Sequence, residues 1–181
     1  MEVRRPQIDA LAFALALAAL GTATLGFVAT RNGAAVVMCG LCLAGLVGGR
    51  VVGIPGFALL PVAIGLDVIL WLVWIDPPAG SHTMSAFAHG AGGALAGWAI
   101  AETLRGRLRW PLWAIGAIVA VVCLAVAWEL GEFIGDRVLD TSLIPSRRDS
   151  ALDIFFGGLG ATSAVALVCL LAPRRGAGSR T

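Results

Sequence analysis

The chain has few ionisable side chains, and several of them have the types and spacing of a reactive site. Glu129 and Glu132 are three residues apart, and Asp149 and Asp153 are four apart. On a helix each pair shares one face. Asp136 continues the Glu129 face seven residues on, and His82 and His89 are also seven apart. Carboxylates combined with one or two imidazoles suit a divalent metal ion, which activates water or holds a phosphate. On this reading Glu132, Asp149 and Asp153 are the metal ligands, and Glu132 and Asp153 also serve as acid and base. His89 and Glu129 are their proton-transfer partners. Arg147 and Arg148 carry the forked donors that hold an anionic headgroup. Asp67 and His82 complete the substrate-binding set.

The elements that must position these groups are apolar. The 181 residues are 59% hydrophobic and 13% charged, with mean hydropathy +0.90. A soluble domain carries about 25% charge, so a water-soluble globule is excluded, and disorder needs far lower hydrophobicity. A net charge of +2 gives no broad basic face for nucleic acid. All 13 basic residues are Arg, and there is no Tyr. That bias suits a GC-rich bacterial genome and carries no functional message. The expected fold is all-α, a polytopic membrane helical bundle of one domain over 1–181. Its six spans lie near 10–29, 33–49, 56–75, 82–103, 111–135 and 150–172, since a span needs about 20 apolar residues. The first segment has a signal-peptide-like start, but its apolar run is too long for one. It reads as a retained span.

Arg placement orients the bundle. With the N-terminus inside, Arg4, Arg5, Arg50, Arg105, Arg107, Arg109, Arg174, Arg175 and Arg180 fall on the cytoplasmic side. Arg31, Arg137, Arg147 and Arg148 fall outside. The expected topology is therefore N-in and C-in, in the inner (plasma) membrane. Trp74 and Trp128 then lie near one interface, and Trp110 and Trp113 near the other. Eight of the 11 acids, and both His residues, occupy the outer half. His89 and Glu129 lie about 10 Å below the surface, and Asp67 about 13 Å below it. A charged residue at mid-helix costs about 2.5–3.5 kcal/mol to insert, so intramembrane ionisable groups are functional candidates.

Plainer roles compete for some positions. His82 starts a span and reads as interfacial. Asp76 precedes Pro77 and Pro78 and reads as a turn residue, and Asp136 and Asp140 read as loop acids. Asp149 sits where it would cap the last helix. Cys39 and Cys42 have the CxxC spacing, but they fall inside a span, where thiols pack as small hydrophobes. For His89, Glu129 and Asp153 depth makes a plain role costly.

Trp128-Glu129-Leu-Gly-Glu132-Phe133, followed by Asp149-Ser-Ala-Leu-Asp153 and Gly160-Ala161, resembles the YjdF-like inner-membrane family. It is similar, more loosely, to the VanZ-like family linked to glycopeptide resistance. The resemblance covers about residues 82–165 and implies a helical inner-membrane protein with its polar site on the Glu-x-x-Glu and Asp-x-x-x-Asp helices. Such families often carry Asp-Lys-x-x-His in the earlier helix, where this chain has Ser85 and Ala86 before Phe87-Ala88-His89. Pro78-Ala-Gly80-Ser81-His82 also resembles a lipid phosphatase signature, but the later His of that signature is Asp153 here, which removes the nucleophile. Three function classes follow. The leading one is a metal-assisted hydrolase or transferase acting on a membrane lipid or lipid-linked substrate. The others are a proton- or cation-coupled transporter using Asp67 and Glu129, and a non-catalytic envelope or resistance accessory protein.

Overall fold

Long runs of Ala, Leu, Val and Gly, broken by Asn32, Pro55 and Pro111, leave helix as the structure that satisfies backbone groups within each segment. A computed structural model describes residues 6–75, 82–138 and 146–171. Asp76, Ser81 and Asp140 fall outside these residues, as do the side chains of Trp74 and His82. The described residues form six helices: α1 (Pro6–Ala29), α2 (Gly33–Val51), α3 (Gly56–Ile75), α4 (His82–Arg105), α5 (Leu112–Val138) and α6 (Arg147–Leu171). Helix starts follow local chemistry. The Asn32 side chain accepts from the Ala35 amide at 3.0 Å and caps α2. At α6 the cap is Ser146, whose hydroxyl accepts from the Asp149 amide at 3.2 Å. Asp149 thus stands inside the first turn, where its charge suits the helix dipole, rather than at the cap itself.

The helices pack as two groups of three. In the first, α1 and α3 run parallel, with Asp9 meeting Gly56 at one end and Gly26 meeting Trp71 at the other. Helix α2 completes this group around Leu20, Phe27, Cys39, Leu46 and Leu59. Phe27 stacks on Trp71 with centroids 4.6 Å apart. Cys39 and Cys42 are buried free thiols in this apolar core. At the end where α1 begins, the Asp9 carboxylate accepts from Arg50 and from the Gly56 amide. One side chain thereby ties together the start of α1, the end of α2 and the start of α3.

In the second group α4 and α6 are parallel and α5 is antiparallel to both. Ser85 meets Asp153, Gly93 meets Gly157 and Gly97 meets Ala161. A methyl on Gly93 would collide with the Gly157 carbonyl, and one on Gly160 with the Gly90 carbonyl. The two backbones touch, as small residues permit in membrane bundles. The halves join where Gly65 of α3 meets Leu95 of α4, and where Leu41 of α2 lies on Gly131 of α5.

Three helices, α1, α5 and α6, are long and apolar enough to cross a membrane. Helices α2 and α3 are apolar over shorter stretches, Ala35–Val51 and Gly56–Leu72. Helix α4 does not reach the same hydropathy. It carries His89, Ser85, Thr103 and four glycines, and α3, α5 and α6 pack around it. Among the described residues three helices, not the expected six, thus have the length and hydropathy of a span, and a helix covered by protein, as α4 is, needs less lipid-like surface than its neighbours.

Candidate functional site

The α4–α6 group has an apolar end and a polar end. Toward the end of α4, Ala101 packs with Trp113, Ala114, Ala117, Val165 and Val168. Near the start of α4, the same three helices turn His89, Glu129 and Asp153 toward one another. The cause is helical phase. On α6, Asp149, Asp153, Gly157, Ala161 and Val165 repeat every fourth residue and form its buried stripe. On α5, Val121, Glu129 and Glu132 lie on the buried face. Ala125 of α5 meets Gly157, and one turn along, Glu129 reaches the level of Asp153.

The contacts are specific. His89 Nδ1 lies 3.0 Å from Asp153 Oδ1, and His89 Nε2 lies 3.7 Å from Glu129 Oε1. The Ser85 hydroxyl, one turn before His89, donates to both Asp153 oxygens at 2.9 and 3.0 Å. The Ser85 carbonyl oxygen is 3.2 Å from His89 Nδ1. The Trp128 indole N–H donates to Glu132 Oε1 at 2.8 Å. Ser150 bonds the Glu129 carboxylate, while buried Glu129 Oε1 has no hydrogen-bond partner. Glu129, Glu132, Asp149 and Asp153 are all buried. The His89 side chain is 19% exposed, against 9% for Glu129 and 7% for Asp153, so the imidazole is the most accessible of the three.

One ligand atom each from His89, Glu129 and Asp153 lies within 4.8 Å of the other two, and this group could hold a metal ion. The structure brings three of the four catalytic candidates together, His89, Glu129 and Asp153, while Glu132 is buried on the same face of α5 and bonds Trp128. It regroups the metal candidates. Asp153 stands in the close trio, Glu132 is turned to Trp128, and Asp149 lies one turn before Asp153 on the buried stripe. The reason is angular. Residues three apart on a helix differ by about 60° in direction, so Glu129 and Glu132 cannot aim equally at one point.

The remaining candidates are placed elsewhere. Arg147 and Arg148 are exposed on the first turn of α6. Asp67 faces Trp71 and Cys39 within the α1–α3 group. His82 opens α4. Sequence reasoning did not nominate Ser85, Trp128 or Ser150. The i,i+4 spacing of Ser85 to His89 and of Trp128 to Glu132 was the available signal. No family model, curated protein or solved structure matches the chain.

Proposed function

We propose that the protein is a six-span inner-membrane protein, N-in and C-in, whose pocket lies in the outer leaflet and performs metal-assisted hydrolysis or group transfer on a lipid or lipid-linked substrate. The observation that carries this reading is the convergence of His89, Glu129 and Asp153 from three helices, with ligand atoms within 4.8 Å of one another. Buried acids inside a bundle are costly unless they serve a purpose, and a cation answers the mutual repulsion of the carboxylates. A divalent ion there would polarise a phosphoryl or carbonyl oxygen. Glu132, held by Trp128, would then accept or return a proton. Arg147 and Arg148, exposed at the mouth end of α6, suit an anionic headgroup. The YjdF-like motif resemblance fits the same helices.

Enzyme chemistry is favoured over transport by what lies along α4 from the pocket. Ala101, Trp113, Ala114, Ala117, Val165 and Val168 close the bundle with apolar side chains, and a proton or cation path would need polar groups there. The deciding measurement is elemental analysis of purified full-length protein, beside complementation by His89→Ala, Glu132→Gln and Asp153→Asn. Bound metal in the wild type, with loss of the phenotype in all three variants, supports the reading. A metal-free protein whose variants all complement overturns it and leaves the accessory role.

A further inference from the structure

The three members of the His/Glu/Asp group differ in how their polar atoms are already used. Asp153 is engaged on both oxygens by the Ser85 hydroxyl, and Oδ1 also faces His89 Nδ1 at 3.0 Å. His89 Nδ1 faces the Asp153 carboxylate oxygen and the Ser85 carbonyl oxygen at 3.2 Å. Both are acceptors, and the Ser85 hydroxyl 3.4 Å from Nδ1 is turned to Asp153, so Nδ1 carries a proton, and in the neutral ring Nε2 offers a lone pair. Nε2 lies 3.7 Å from Glu129 Oε1. Glu129 is more than nine-tenths buried, and its Oε1 has no hydrogen-bond partner. With the ring neutral, two acceptors thus stand 3.7 Å apart with no donor between them. An ion making bonds of about 2.0–2.2 Å, as zinc does, spans that gap without moving either helix.

Resting on the metal-site reading above, we infer a division of labour: His89 Nε2 and Glu129 bind the ion directly, while Asp153, held by Ser85, is a positioning residue behind the imidazole. Metal-ligating His residues characteristically donate their other ring N–H to a carboxylate, which fixes the tautomer and raises ligand basicity. The Ser85–Asp153–His89 chain has that form. It departs from treating the three side chains as equal ligands, and it gives Ser85 a role. The hydroxyl holds the carboxylate so that the carboxylate holds the ring. Glu132, one turn along α5 and fixed by Trp128, lies next to Glu129 and is the nearest further oxygen donor on that helix.

The test is titration of full-length protein in detergent with Co²⁺ and, separately, Cu²⁺. Co²⁺ gives the affinity, and the nitrogen couplings in the Cu²⁺ paramagnetic resonance spectrum report the imidazole. Wild type is expected to bind one ion with one nitrogen ligand. His89→Ala loses the nitrogen signal, and Glu129→Gln weakens binding by more than about 100-fold. Asp153→Asn keeps the nitrogen signal and weakens binding by about 10–100-fold, the range for outer-shell partners. Ser85→Ala, which leaves every metal-capable group in place, weakens it by less, and Ser85→Thr restores it. Helicity and monodispersity of each variant separate misfolding from lost ligation. If Asp153→Asn abolishes binding as fully as His89→Ala, Asp153 is a ligand and this inference fails while the metal reading stands. If the folded wild type binds neither ion, the metal reading fails and this inference with it.

Discussion

Trp128 and Glu132, one turn apart on α5, are joined by an indole N–H to carboxylate hydrogen bond of 2.8 Å. The same indole ring packs against the apolar core of the α1–α3 group. Trp128 is therefore one place where the first half of the bundle touches the polar end of the second. A change in how the halves dock would turn the donor that fixes Glu132.

Replacing Trp128 by Phe keeps most of the ring packing and deletes the N–H. A buried acceptor that loses its donor costs about 1–3 kcal/mol. Trp128→Phe should lower the thermal midpoint in detergent, and the Trp128→Phe/Glu132→Gln double variant should recover part of the loss. Strict additivity of the two single effects would show that the bond has no energetic consequence.

The contact of α4 with α6 has no room for a side chain. Gly93→Ala and Gly160→Ala would each place a methyl against the backbone of the facing helix. Overpacking of this kind costs about 1–3 kcal/mol, or more where backbone must shift. Both variants should also separate Ser85 from Asp153. Gly40→Ala and Gly45→Ala on α2 meet nothing within 4 Å and should be tolerated. Thermal unfolding of the four variants in one detergent checks the contrast, and equal midpoints would contradict the close approach.

At the opposite end, Asp9 accepts from Arg50 and from the Gly56 amide. Asp9→Ala removes the cap of α3 and strands Arg50, with an expected loss of about 1–2 kcal/mol for the cap. Asp9→Asn keeps an oxygen for the Gly56 amide and should lose less. Neither should alter metal content, because the contacts lie in the other half of the molecule. Unfolding and elemental analysis on the same preparations check both statements.

Much of the architecture is legible from spacing alone. The apolar runs mark the helices, and the Asp149–Asp153 and Glu129–Glu132 intervals mark the buried stripes of α6 and α5. Rotation is what spacing leaves open. A turn of about 60° decides whether Glu129 or Glu132 faces the imidazole, and that angle is set by where Gly157 meets Ala125 and Gly93. Partners without charge are also hard to nominate. Ser85 differs from any helical serine only once α6 brings Asp153 to its hydroxyl. Helix α4 is legible as the run near 82–103, but it falls short of a span's hydropathy for a related reason, since its covered faces need not be strongly apolar.

Asp67 separates the enzyme reading from the transport reading. It stands in α3 with Trp71 and Cys39 around it, and its buried Oδ1 has no hydrogen-bond partner. None of the contacts of His89, Glu129 or Asp153 described above involves it. A path that uses Asp67 and Glu129 in sequence requires both carboxylates. A pocket confined to α4–α6 requires only the second. Asp67→Asn removes a charge that costs about 2.5–3.5 kcal/mol to insert at mid-helix, and it preserves the side chain's shape. Metal affinity should stay within about twofold of wild type, below the 10–100-fold effect of losing even an outer-shell partner. Complementation by the wild type, where it is seen, should persist in this variant. Co²⁺ titration, complementation and pH-gradient-driven flux in proteoliposomes, run on Asp67→Asn and Glu129→Gln side by side, give the answer. Flux in the wild type that vanishes in both variants would place the two halves on one path and displace the enzyme reading. Unchanged metal binding in Asp67→Asn, with loss only in Glu129→Gln, confines the chemistry to the three helices that carry His89, Glu129 and Asp153.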